Sequence, residues 1–314
     1  LLKKGIESSI QRQKANPGSI ANNEFSKLIY GAGHVFANAV IGNENSVAGI
    51  SIDDLKSFYT DNIAPNISKL YLVGAISEKE TLNSLADLDS KWLAKDVTIP
   101  DVVIPEVPKE SAVYFYDVPG AKQSVIMFGY PALAVTSEDY YPATIMNYRL
   151  GGGGFASQLT QELREGKGYT YGIRSGFSGS RFRGPFSISS SVRSNVTYES
   201  AQLIKDILKN YGMNFSENDL EVTKSYLIKS SARAFETLGS KLGLLQNVGR
   251  YGFSPDYVKT RQQIVKDMTV EEIQAMSAKY LNPEKMIYLF VGDAATQLDR
   301  LNALGYGTPI LLNP

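Results

Sequence analysis

The stretch LREGKGYTYG, Leu163 to Gly172, places an arginine, two tyrosines and three glycines within ten residues. Guanidinium and phenol groups both donate hydrogen bonds at neutral pH. Gly166 and Gly168 permit a sharp reversal between a helix end carrying Arg164 and an entering strand carrying Tyr171. Read locally, the same residues have ordinary roles. Arg164 is a cation set against a helix C-terminus, and Tyr171 is a half-buried strand residue. Which reading holds depends on the surrounding elements.

Other reactive groups are scarce. There is no cysteine, which excludes disulfides, thiolate catalysis and cysteine zinc sites. The one histidine, His34 in GAGHVFANA, has no ligand types beside it and is expected to pack or hydrogen-bond. Gly151–Gly154 lack the lysine spacing of a phosphate loop and join two helices, which predicts a flexible interhelix turn. The acid pairs Asp53/Asp54 and Glu271/Glu272 fall in first helical turns, where they offset the helix dipole. Trp92 reads as a core anchor. The strand GPFSISSSVRSN alternates small polar residues and reads as a paired inner strand with one solvated face.

At 314 residues the chain is too long for one typical core, so two domains or a repeat are expected. The formal net charge is zero and no basic tract occurs, which argues against nucleic-acid and anionic-membrane partners. The N-terminus lacks the apolar core of a signal peptide. It also lacks methionine, so the native start is expected upstream. The longest apolar runs, such as MIYLFVG, are strand-sized and too short to span a membrane.

A duplication organises the chain. SIDDLKSFYTDNIAPNISKLYLVGAIS from Ser51 and TVEEIQAMSAKYLNPEKMIYLFVGDAA from Thr269 both read as a capped amphipathic helix, a proline break and a buried strand. The same offset of 218 positions separates Ser51 from Thr269, Pro65 from Pro283 and Gly74 from Gly292. The second copy adds strands at SAVYFYDV, QSVIMFGYPA, YTYGIRSGF and GPFSISSSVRS. Its helices are SEDYYPATIMNYRLGG, capped by Ser137, FASQLTQELREGKG, TYESAQLIKDILKNYG, which stops at glycine, and runs around 220–235 and 241–250. This is an α+β unit. The corresponding strands of the first copy would lie ahead of Leu1. The expected division is therefore residues 1–95 as the C-terminal part of a first unit, helices plus a last strand. Residues 96–110, rich in proline and valine, form an extended linker, and residues 111–314 form a complete second unit.

The segment GGGGFASQLTQELREGKGYTYGIRSGFSGSRFRGPFSISSSVRSN resembles the signature of the pitrilysin/insulinase-type (inverzincin) metallopeptidases, a family that includes mitochondrial processing peptidase and its inactive core-protein relatives. ISIDDLKSFYTDNIAPNISKLYLVG resembles the same family's domain ending. The resemblance covers essentially the whole chain. It implies two similar metallopeptidase-type α/β sandwich domains, each a mixed sheet covered by helices, the first truncated at its N-terminus. It also implies a clamshell of two halves. An active half carries an H-x-x-E-H helix that binds zinc, and the other half supplies an arginine and a tyrosine that hold the peptide and polarise its carbonyl. Arg164 and Tyr171 match those two positions, with Gly168 and Tyr169 as accompanying substrate contacts.

The zinc pattern is not matched. One histidine makes H-x-x-E-H impossible here, and SEDYYPATIMNYRLGG, at the place of the metal helix, has no ligand pair. The family's further glutamate ligand would fall near Ser8 or Ser9, and the adjacent Glu7 lies ~100° around the helix. The expected function is thus the non-catalytic half of an insulinase-like zinc metallopeptidase, enclosing a peptide substrate and inactive by itself. This chain should hold no metal or other cofactor, and zinc is expected in the partner half. The partner is a zinc-bearing half of the same family, fused or separate, or a second copy in a homodimer. Two alternatives stand: a proteolytically inactive assembly or peptide-binding subunit, and a fragment of a complete endopeptidase whose H-x-x-E-H lies upstream. A soluble bacterial protein is expected, with periplasm and cytoplasm both open. Metal analysis of the dialysed chain should find far less than one zinc per chain. One retained equivalent lost on changing His34→Ala would overturn that expectation.

Overall fold

A computed structural model describes residues 2–313. In chain order its main elements are α1 (Leu2–Lys14), α2 (Pro17–Tyr30), α3 (Glu44–Gly49), α4 (Ile52–Asn62), α5 (Glu78–Lys91), β1 (Ala112–Asp117), β2 (Gln123–Leu133), α6 (Tyr140–Asn147), α7 (Gln158–Thr160), β3 (Thr170–Phe177), β4 (Gly184–Arg193), α8 (Thr197–Asn214), α9 (Glu217–Ser231), α10 (Leu238–Tyr251), α11 (Tyr257–Asp267), α12 (Val270–Tyr280), β5 (Ile287–Gly292), α13 (Ala294–Gln297) and β6 (Ile310–Leu311). Local signals start the repeated helices. Ser51 and Thr269 accept from the amides of Asp54 and Glu272, whose carboxylates accept in turn from the cap amides.

The described strands form one mixed sheet in the order β3-β4-β2-β5-β1-β6. β1 runs parallel to β5 and β6, whereas β2 is antiparallel to β4 and β5. The protein is an α+β fold with helices on both sheet faces. β5 is apolar throughout because both its faces are covered. Tyr288 and Phe290 join Phe115, Ile126 and Phe128 in a core with Ile145 of α6, Ile204 of α8 and Ile273 of α12. Ile287, Leu289 and Val291 pack on Ile20, Ala21, Phe25 and Ile29 of α2. Asn16 caps α2 and Gly31, at φ +81°, ends it.

The two copies of the repeat differ in burial. Ile273 of α12 is 0% exposed, whereas its counterpart Leu55 of α4 is 55% exposed. The strand expected at 68–74 does not form. β5 lies between β1 and β2, but no strand lies beside residues 68–74 among the described residues. The apolar face of α4 is left uncovered, whereas that of α2 is covered by the sheet of the second copy. A reciprocal contact runs the other way. The N-caps Asn16 and Thr237, and the end glycines Gly31 and Gly252, are each 221 positions apart, so α10 is the counterpart of α2. Lys69 donates to the Gly249 carbonyl at 2.6 Å, and the Tyr71 ring leaves no room for a Cβ on Gly249.

Smaller differences have local causes. Ser137 does not cap α6, because its place in a preceding turn leaves Asp139 at that position. α8 runs through Gly212, which packs closely on Ser277. β6 is two residues long and carries no period to read from sequence. Trp92 is half-buried at the end of α5, outside both cores. The linker is tied down: Val103 accepts from His34 at 2.8 Å, and Pro105 is buried. β4 pairs on both sides, as an inner strand should.

Phe25→Ala opens a cavity against β5 and should cost about 3–5 kcal/mol. Equilibrium denaturation of the whole chain tests this, and a loss under 1 kcal/mol, roughly that of an ordinary surface change, would show that α2 does not brace the sheet.

Candidate functional site

The turn after α7 is wide. Residues 161–166 form π-type backbone, closed by Lys167 N–H to the Glu162 carbonyl at 3.0 Å. Gly168, at φ +61°, reverses the chain, and Tyr169 N–H returns to the Leu163 carbonyl at 2.8 Å. Leu163 is fully buried and anchors the turn. Arg164 is thereby set beside β3. Its guanidinium carbon lies 4.7 Å from the centre of the Tyr171 ring and 4.5 Å from that of Phe155. Its Nε is 3.3 Å from Glu165 Oε1. Tyr171 is 87% exposed and Phe155 61% exposed. Arginine and tyrosine are therefore brought together on an open surface, stacked and not linked by a hydrogen bond.

Tyr169 is half-buried and precedes β3, its carbonyl accepting from Arg193 N–H at 3.2 Å. A bulge between Thr170 and Ile173 breaks the strand's alternation, so the two-residue spacing of Tyr169 and Tyr171 does not put them on one face. Gly168 supplies backbone conformation at the reversal.

The glycine loop is not the flexible turn its composition suggests. A Cβ on Gly151 would meet Ser175 N at 2.6 Å, and Gly154 sits at φ +58°. Asn147 Nδ2 donates to the Ser175 carbonyl at 2.9 Å, and Ser175 Oγ donates back to Asn147 Oδ1 at 2.5 Å. Behind the loop Arg149 donates to the Ala156 carbonyl and pairs with Asp219 at 2.6 Å. Burial alone would raise the Asp219 carboxyl, but hydrogen bonds from Ser216 and Arg149 hold it below the usual carboxylate range. Phe155 was missed in the sequence; its signal is an aromatic residue directly after four glycines. Arg149 and Asp219 carried none, being 70 residues apart.

β3 is an edge strand, yet its outer carbonyls are largely taken. Thr160 donates to Ile173 at 3.5 Å, Asn147 to Ser175, and Tyr140 to Phe177 at 3.0 Å. His34 accepts from Phe36 N–H on Nδ1, which leaves Nε2 to donate to Val103. Both its nitrogens are thus engaged, as expected for a packing histidine. No group of three His, Cys, Asp or Glu side chains placed to hold a metal ion occurs among the described residues.

Residues 49–227 match the profile of the family described as the peptidase M16 inactive domain. The chain belongs to that family. Among relatives of the M16 chain, a Helicobacter pylori protein named a non-peptidase homolog, YmxG, is 26% identical over 242 residues, covering 76% of this chain and 54% of that protein. A Bacillus subtilis protein named an uncharacterized zinc protease, YmxG, is 22% identical over 241 residues, covering 76% and 56%. The M16 chain thus spans about half the length of these curated relatives. A crystal structure of the peptidase M16 inactive domain from Pseudomonas fluorescens superposes with a TM-score of 0.84 at 29% identity, covering 93% of this chain and 69% of that one. A chain of Candida albicans complex III2 shares the fold at TM-score 0.76 and 12% identity, covering 98% and 74%. No helix among the described residues is long and apolar enough to cross a membrane.

The Asp219 carboxyl is held low, so its contribution is full above the ordinary aspartate range and is lost as pH falls through its lowered value. Asp219→Asn should therefore lower Tm at pH 7, and the deficit should shrink at an acidic pH below the ordinary aspartate range. Equal Tm differences at both pH values would show that the carboxylate charge does not secure the loop.

Proposed function

We propose that this chain is the non-catalytic half of an M16-type peptidase, contributing Arg164 and Tyr171 to a peptide held against a zinc-bearing half. The supporting observation is that the wide turn and the Gly168 reversal set these two motif residues 4.7 Å apart on an exposed surface, with Phe155 bracketing the guanidinium. Stacking limits where the guanidinium can swing; with Nε beside Glu165, its terminal N–H groups are the ones left to meet a peptide carbonyl. The Tyr171 hydroxyl is exposed for the same use. Such donors strengthen their hold as the carbonyl gains charge during attack. The zinc ligands belong to the partner, fused or separate, since this chain offers no set of its own. Closure of the two halves as a clamshell would bring them together. In this reading residues 111–314 are a second unit and residues 1–95 the end of a first, joined through 96–110.

A second reading is an inactive assembly or peptide-binding subunit. The relative named a non-peptidase homolog favours it, as does stacking of Tyr171 on Arg164 in place of hydroxyl convergence.

Arg164→Ala and Tyr171→Phe, each assayed with the zinc-bearing half and a fluorogenic peptide, separate the two. Loss of one donor should depress turnover about 10²–10³-fold while fold and partner binding persist. Peptide binding without any stimulation of the partner supports the second reading. Normal turnover in both variants would return these residues to packing roles.

A further inference from the structure

We infer that the pocket between α6, α9, α10 and α11 is a binding site for a carboxylate carried on a branched aliphatic group. It encloses about 160 Å3 and is walled by Leu227, Ile228, Leu244, Val258 and Val265, with Arg261 as its charged residue. Gln262 and Ser231 also line it; Gln262 Nε2 donates to Ser231 Oγ at 3.0 Å, and Ser231 Oγ donates to the Ile228 carbonyl at 2.7 Å.

The state of Arg261 carries the argument. Its guanidinium carbon sits 4.8 Å from the centre of the Tyr141 ring, 5.1 Å from Tyr257 and 5.5 Å from Phe253. Phe253 and Tyr257 stack on each other at 5.3 Å, so the cage is itself fixed. A half-buried guanidinium gives up part of its hydration and normally gains acceptors in exchange. The other half-buried arginines follow that rule. Arg149 has Asp219, Arg164 has Glu165, and Arg183 has the Pro105 carbonyl at 3.4 Å. Arg261 has no carboxylate or carbonyl partner among the described residues, although its polar atoms are not sealed from solvent. A planar fork of N–H donors held over an apolar pocket matches a carboxylate, which accepts two parallel hydrogen bonds while its aliphatic group fills the space behind. The volume equals that of roughly five waters, which suits a four- or five-carbon branched chain. Such a group arises on a free branched-chain acid or at the C-terminal leucine of a peptide.

Calorimetric titration of the whole chain with 4-methylpentanoate should give a Kd of about 1 mM, in line with the efficiency of small ligands. The neutral 4-methylpentanamide should bind at least ten-fold more weakly. N-acetyl-Ala-Leu and its C-terminal amide distinguish the sources. Tighter binding of the acid form of the peptide than of 4-methylpentanoate assigns a peptide terminus, and the reverse assigns a free acid. Arg261→Gln should abolish binding. Arg261→Lys keeps the charge without the fork and should weaken it, with Tm near that of the parent protein. No heat of binding at about 20 mM, equal binding of acid and amide, or unchanged binding in Arg261→Gln would each overturn the assignment.

Discussion

The burial of β5 on both faces is the constraint on which the rest depends. A strand apolar on one side needs one covering layer, and Ile287, Leu289 and Val291 require a second. α2 provides it from far upstream in the chain, while α6, α8 and α12 cover the opposite face. The sheet is therefore clamped by segments separated by most of the sequence. Its order carries that rigidity through β2 and β4 to β3, the strand on which Tyr171 stands.

The arginine site is built at the end of that chain of support. Buried Leu163 holds one side of the turn and the β3–β4 pairing holds the other. The glycine loop brings Phe155 over the guanidinium only because Gly151 lets backbone press against Ser175 and Arg149 pulls Ala156 inward. The outer carbonyls of β3 are already bonded to Thr160, Asn147 and Tyr140, so this strand edge is not open to a further strand.

The repeated unit shows how far identical local signals reach. Both copies close the same capping box and place apolar residues at the same helical positions. Burial then diverges, because α12 has a sheet to pack on and α4 does not. The exchange of α2 onto β5 and α10 onto residues 69–71 is likewise a relation between copies, invisible within either one.

By itself the sequence determined the α+β class, most strands and helices, the recurrence of one capped-helix pattern 218 positions apart, the absence of a histidine ligand pair and the placement of Arg164 and Tyr171 on either side of a glycine reversal. Those features rest on short-range periodicity, caps and composition, each read within a few residues. Only the tertiary structure decided that Gly151 is a close-packing position, that residues 68–74 form no strand, that Phe155 and Tyr171 bracket Arg164, and that Arg149 reaches Asp219. These outcomes depend on which surfaces meet after the chain closes on itself. A glycine, a strand pattern or a charged residue carries no mark of the distant neighbour that gives it its role.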